Sequence, residues 1–218
     1  MLPFGESALL IELGSPERAR HVAAAIVAGN LDGIVEVVPA LESVLVELDP
    51  DRSSDPEDAI ASLVAIVPEE EAEGRLRTIP VVYGGENGPD LDEVADLCRM
   101  TPEAVIELHA GTELRVLFTG FAPGFAYLGE LPPELRVPRL ATPRTRTPIG
   151  AVAIADAMSG IYPAELPGGW RVIGRTPVTL FDPRRDPPAY LVAGDRVRFE
   201  PILPSAWAAR TGVAPDWG

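Results

Sequence analysis

Hydrophobic periodicity changes character once along this chain, near residue 110, and that break limits the fold more than any motif does. Before it, apolar residues recur at helical spacing between short apolar runs. After it the helical period is gone, and brief strand-like runs are separated by Gly and Pro clusters. Such a chain is expected to fold as an α+β unit followed by an all-β barrel or sandwich.

Residues 8–13 read as a buried strand. Ser15, Pro16 and Glu17 then supply an N-cap, a proline at the first helical position and an early acid, which together start a helix. Ala19, Val22, Ala23, Ile26 and Val27 form its apolar face, and Gly29-Asn30 stops it. Residues 34–38 and 44–48 read as a hairpin. Ser54, Asp55, Pro56 and Glu57 open a second helix with Ala59, Ile60, Leu63, Val64 and Val67 on one face; Pro68 and the acids of 69–73 end it. With residues 76–83 as a last strand, the order is β-α-β-β-α-β, the ferredoxin-like pattern. The predicted organisation is a ferredoxin-like domain over 1–85, a linker with two short helices over 86–110 and a β-barrel over 111–218.

The glycines of 84–88 could cradle a phosphate, but no helix begins at the needed spacing, which favours a plain linker. Asp90 with Glu93 is expected to cap a helix carrying Leu91, Val94, Ala95 and Cys98, making Cys98 a core residue rather than a nucleophile. Thr101-Pro102-Glu103 opens the next helix, which His109 closes. Beyond it, residues 114–119, 152–155, 170–173, 178–181 and 196–199 read as strands, and 206–210 as a helical turn.

Composition removes whole chemistries. All 18 basic residues are arginine, so a P-loop, a Schiff-base lysine and a Ser–Lys dyad are excluded. One cysteine and two histidines leave no zinc motif and no disulfide framework, and no metal site is expected. The net charge of −15 opposes nucleic-acid binding. Charge is unevenly placed: residues 1–109 hold 23 acids against 6 arginines, whereas 110–218 hold 10 acids against 12. The second half is thus the one able to receive an anion. No basic leader and no apolar stretch of membrane-spanning length is visible, and with a single Cys98 the reading is a cytoplasmic protein without a membrane span.

Three segments of the second half carry chemistry. Residues 120–129 interleave glycines with aromatics; in a turn built on Gly120, Pro123 and Gly124, exposed backbone amides beside Phe121, Phe125 and Tyr127 would make an oxyanion or small-ligand pocket. Phe121 and Phe125 read either as pocket walls or as barrel packing; the Tyr127 hydroxyl suits ligand orientation. Arg144 and Arg146, alternating in an extended proline-flanked stretch, would form a two-fork receptor for carboxylate or phosphate, or else two solvated charges. Rigid turns at Tyr162-Pro163 and Gly168-Gly169-Trp170 flank Glu165, which reads as a general base, an orienter of arginine or a surface charge. His109 is the candidate for acid–base work near neutral pH, or a cation at a helix C-terminus. His21 sits on a helix beside Val22 and reads as a structural residue without a chemical role.

Several long motifs in order then resemble the family of 5-oxoprolinase B-type subunits, also described as Kip-type histidine-kinase inhibitors and as allophanate hydrolase subunit 1. They are Phe4-Gly5-Glu6-Ser7-Ala8-Leu9-Leu10, Ile79-Pro80-Val81-Val82-Tyr83-Gly84-Gly85, His109, the 120–129 segment, Thr142-Pro143-Arg144-Thr145-Arg146, Ile161-Tyr162-Pro163, Pro167-Gly168-Gly169-Trp170 and Ile173-Gly174-Arg175-Thr176-Pro177. The resemblance covers the whole chain. It implies a small α/β domain followed by a cyclophilin-like barrel. It also implies a component, inactive alone, that joins A- and C-type subunits to cleave 5-oxoproline to glutamate with ATP as co-substrate and Mg alongside it. Arg175 and Thr176 enter the expected site through their motif. The rival function is a binding module that blocks autophosphorylation of a sensor histidine kinase; prolyl isomerisation has only fold analogy behind it. Met158-Ser159 stands where the family has Gln-Thr, and Leu166 where it has serine, which bears on substrate scope.

Overall fold

The computed structural model describes residues 1–51, 55–66, 74–212 and 217. The chain divides into two compact units, Met1–Glu73 and Gly74–Gly218.

The first unit contains β1 (Leu2–Pro3), β2 (Ala8–Glu12), α1 (Pro16–Gly29), β3 (Ile34–Pro39), β4 (Ser43–Leu48) and α2 (Glu57–Ile66). Ser15 caps α1 as expected, its side chain accepting from Arg18 N, and Asn30 closes the helix in the left-handed conformation. The strands form one antiparallel sheet in the order β1-β2-β4-β3. Alternate residues Leu9, Ile11, Val44 and Val46 are buried in one core with Ala19, Val22 and Ile26 of α1 and Ile60 of α2. Ser54, Val67, Pro68 and the acids of 69–73, invoked above for the limits of α2, lie outside the described residues.

The expected sixth element does not join this sheet. Leu76–Tyr83 forms β5 and belongs to the second unit, where it pairs in parallel with β13 (Arg196–Pro201) and antiparallel with β12 (Arg171–Arg175). The edge beside β2 is held instead by β1. Four consecutive residues of β5, from Ile79 to Val82, are buried. A strand buried on both faces needs cover that a one-sided helix-backed sheet lacks. The ferredoxin-like order is therefore incomplete in the first unit.

The second unit is a closed barrel in the order β10-β7-β6-β13-β5-β12-β9. Its further strands are β6 (Leu114–Thr119), β7 (Ala126–Gly129), β9 (Ala151–Ala155) and β10 (Met158–Ile161), while β8 (Arg144–Thr147) and β11 (Leu166–Gly168) form a separate ribbon. The residues expected as a strand at 178–181 make only isolated bridges, Val178 with Gly212 and Phe181 with Ala189. The helical turn near the end is α5 (Trp207–Arg210).

The two helices expected in a linker are part of this unit. In α3 (Leu91–Cys98) and α4 (Pro102–Gly111), the side chains of Leu91, Val94, Ala95 and Val105 are buried in the barrel core, and Cys98 packs partly against it. Asp90 does not cap α3. Its carboxylate turns to the barrel, where one oxygen meets Arg144 Nη2 at 2.5 Å and the other accepts from Val172 N at 2.7 Å. An apolar helix face cannot remain in solvent beside an open core, which is why these helices dock rather than link.

Candidate functional site

The β6–β7 connection closes on itself. Gly120 N donates to Phe125 O at 3.2 Å, Ala122 N to Gly120 O at 2.8 Å and Phe125 N to Ala122 O at 3.0 Å. These amides are spent inside the loop, so the expected cradle of free amides is not formed by them. Gly124 adopts φ +80, and a Cβ there would lie 2.7 Å from Phe181 Cβ. Phe121 holds φ +68 and is 59 % exposed. A bulky residue in the left-handed region carries strain of about 1–3 kcal/mol, and such strain collects at binding sites.

Phe125 points inward and becomes the hub of an aromatic cluster. Its ring meets those of Phe121, Tyr127, Tyr162 and Trp170 edge to face, at centroid distances of 5.4, 4.9, 5.3 and 6.0 Å. Edge-to-face packing at these distances suits the ring quadrupoles. Two glycines permit it. A Cβ on Gly160 would stand 3.0 Å from both Phe125 and Trp170, and a Cβ on Gly168 would strike the Tyr162 hydroxyl. Met158 and Leu166, the two departures from the family pattern, pack against this cluster.

A cavity of about 140 Å³ opens on the cluster, lined by Phe121, Phe125, Tyr127, Tyr162 and Trp170 with Pro167, Gly168, Gly169 and Arg139. It is smaller than the pockets that take drug-sized ligands. Arg139, half in solvent, lies 3.7 Å from Asp156. Burial raises the Tyr127 and Tyr162 phenols, while the Arg139 charge pulls both back. The cavity thus joins aromatic walls, two neutral hydroxyls and one guanidinium.

The structure brings Phe121, Phe125, Tyr127, Tyr162, Gly169 and Trp170 together in this cavity, and sets Gly120, Pro123 and Gly124 in the loop beside it. The expected two-fork receptor does not form. Arg144 turns to Asp90 and to the Trp170 carbonyl, the latter at 3.4 Å, and so braces a wall of the cavity. Arg146 is 80 % exposed and pairs at 3.4 Å with Glu165, itself 57 % exposed; neither lines the cavity. Arg175 donates to Ile149 O at 2.7 Å and lies over Trp207. Thr176 is buried, its hydroxyl accepting from Val178 N.

His109 is fully buried and is not at the cavity. Its Nδ1 lies 2.8 Å from Tyr83 Oη and its Nε2 3.0 Å from Ser159 Oγ, which donates to Ala153 O at 3.3 Å. One tautomer satisfies the whole chain: Tyr83 O–H donates to Nδ1, and Nε2–H donates to Ser159. Phe199 stacks on the ring at 4.5 Å. Burial without a charged partner pushes the imidazole down to about 3, so the ring is neutral near pH 7 and does not act as a cation at the end of α4.

Arg139 is the cavity residue that sequence reasoning missed. It precedes a proline-rich stretch without a partner at motif spacing, whereas the eye-catching Arg144–Arg146 pair lay nearby. Among the described residues, no group of three or more His, Cys, Asp or Glu could hold a metal, and no helix is long and apolar enough to cross a membrane.

Residues 1–191 match the carboxyltransferase domain, subdomain C and D. Among curated proteins the chain is 43 % identical over 210 residues to the 5-oxoprolinase B-type subunit of Escherichia coli O157:H7, covering 90 % of this chain and 93 % of that one. It is 39 % identical over 214 residues to the 5-oxoprolinase B-type subunit of Bacillus subtilis strain 168, covering 89 % of each. In the crystal structure of TTHA0988 the similar region has a TM-score of 0.79 and 38 % identity, covering 90 % of this chain but only 40 % of that one. The chain belongs to the carboxyltransferase subdomain C and D family, among its 5-oxoprolinase B-type members.

Proposed function

We propose that the chain is the B-type subunit of a cytoplasmic, ATP-dependent 5-oxoprolinase that opens 5-oxoproline to L-glutamate in complex with A- and C-type subunits and has no activity alone. In this reading the barrel is of the cyclophilin-like type. The observation that carries the reading is Arg139 at the mouth of a small aromatic cavity. A five-membered lactam bearing one carboxylate is matched by those parts: apolar walls for the ring, a guanidinium for the carboxylate, and phenolic hydroxyls for the amide. The relatives' names support the same substrate.

The residues of this chain would bind and orient. Arg139 holds the substrate carboxylate, which displaces or shares Asp156. Phe125 and Trp170 exclude water from the ring faces, and Tyr127 or Tyr162 donates to the lactam oxygen. An unactivated lactam is a poor electrophile; ATP, with its Mg, supplies a phosphoryl group that makes the amide carbon susceptible to water. Among the described residues no acidic cluster could hold Mg, and in this reading the metal travels on the nucleotide or is held by a partner.

Co-expression of the chain with neighbouring A- and C-type subunits, followed by assay of glutamate released from 5-oxoproline with and without ATP, tests the reading. The expected result is ATP-dependent release by the three-part complex only. A verified three-part complex that releases no glutamate would overturn it.

A further inference from the structure

The sheet of the first unit has a second face, and its register sets one apolar row across all four strands. Leu2 pairs with Leu10, Leu10 with Leu45, and Leu45 with Val38. Directly paired residues share a face, and this face is opposite to Leu9, Ile11, Val44 and Val46, which meet the helices. Leu2 is 52 % exposed and Val38 42 %. With neighbouring strands about 4.8 Å apart, the row is about 15 Å long.

Acids border the row on both sides. Glu36 stands directly opposite Glu47 in the next register position on one side, and Glu12 opposite Ser43 on the other. Like charges directly opposite each other destabilise a sheet. Neither Glu36 nor Glu47 has an ion pair or side-chain hydrogen bond among the described residues. An apolar row bordered by uncompensated carboxylates is costly for the unit by itself and is relieved by a cationic amphipathic cover.

The geometry points to this face as the docking site for a basic amphipathic helix of a partner protein, with an apolar stripe on Leu2, Leu10, Leu45 and Val38 and arginine or lysine against Glu36, Glu47 and Glu12. The row crosses the strands instead of running along one, so it matches the stripe of a helix laid over the sheet and not an added strand. Residues 1–73 hold 16 acids against 3 arginines. That charge repels a second copy of the same unit, a nucleic acid and an anionic membrane alike.

The test uses the full chain and a labelled 18-residue peptide with leucine along one helical face and arginine on the flanks, followed by fluorescence anisotropy and amide chemical-shift mapping. Binding in the micromolar range is expected, with shifts confined to β1–β4. Leu45→Ser and Glu47→Arg should each weaken it at least tenfold. Glu47→Arg also places an arginine opposite Glu36, so it should raise the melting temperature while lowering affinity, a pair of effects that loss of fold cannot produce. Asp58→Arg in α2 makes the same charge change on the helix side and should alter affinity less than twofold. No binding, equal affinity for a scrambled peptide of the same composition, or equal loss in Asp58→Arg and Glu47→Arg would overturn the assignment. So would self-association in sedimentation that Leu45→Ser abolishes, which would make the occupant a second copy.

Discussion

Asp90 and Arg144, 54 positions apart in sequence, meet at the flank of the barrel, and the same carboxylate takes the backbone N–H of Val172 at 2.7 Å. One side chain thereby fixes the start of α3, the ribbon strand β8 and the barrel strand β12. Asp90 is nearly buried, whereas Arg144 keeps 30 % of its side chain exposed. Removing a nearly buried partner leaves the other group uncompensated, and partial exposure of the arginine moderates the cost.

Asp90→Ala is therefore expected to lower the stability of the second unit by about 2–3 kcal/mol. All three tryptophans lie in that unit, so urea unfolding followed by tryptophan fluorescence reports on it alone. A loss below about 0.5 kcal/mol would show that the contact is structurally idle.

If Arg139 anchors the substrate carboxylate as proposed, Arg139→Gln should raise the KM of the assembled enzyme for 5-oxoproline at least tenfold with kcat within about threefold, because the carboxylate takes no part in the bond broken and its anchor contributes to binding of ground and transition states alike. The residue is 60 % exposed, so unfolding should be unaffected. Unchanged KM would remove Arg139 from the site.

His109 links stability to pH. Its folded value is lowered to about 3 against about 6.5 for an unfolded histidine. Below 6.5 the unfolded chain binds a proton that the folded one refuses. The contribution of the neutral ring is thus complete above pH 6.5 and is lost as pH falls toward 3, at about 1.4 kcal/mol per pH unit. His109→Gln, which can hydrogen-bond to both Tyr83 and Ser159, should show a shallower decline of urea stability between pH 6 and 4.5 than the parent chain. Identical slopes would show that the histidine is not buried in neutral form.

Gly160→Ala puts a methyl group 3.0 Å from Phe125 and Trp170, two rings that line the cavity. The rings must shift by a few tenths of an ångström. Overpacking of this kind costs about 1–3 kcal/mol. Affinity for 5-oxoproline should fall along with stability, measurable by calorimetry on the assembled complex and by thermal unfolding. A variant as stable and as tight-binding as the parent would show that the aromatic cluster tolerates looser packing.

The legible parts of the fold were those set by local chemistry. Ser15 with Pro16 and Thr101 with Pro102 start helices where a capping side chain and a fixed φ predict them. The aromatic segment around Phe125 was legible as a site because glycines and rings alternate there. What local reading misassigned depended on distant partners. Strand β5 has the pattern of any buried strand, and only its pairing with β12 and β13 assigns it to the barrel. Asp90 has the form of a helix cap, yet its carboxylate goes to groups 54 and 82 residues away. Arg139 offers no motif, and only the fold brings it to the cavity of Tyr127 and Tyr162, 12 and 23 positions away.

The parallel pairing of β5 with β13 joins Leu76 to Arg196 across 120 positions. The barrel therefore cannot close until that late strand has left the ribosome, although β6, β7, β9 and β10 can already pair as neighbours. Among the described residues, the strands of the first unit pair only with one another, so every partner in that sheet is synthesised long before β13. Closure of the second unit thus waits on a pairing of far greater sequence separation than any in the sheet of the first, and non-local pairings of that kind slow folding.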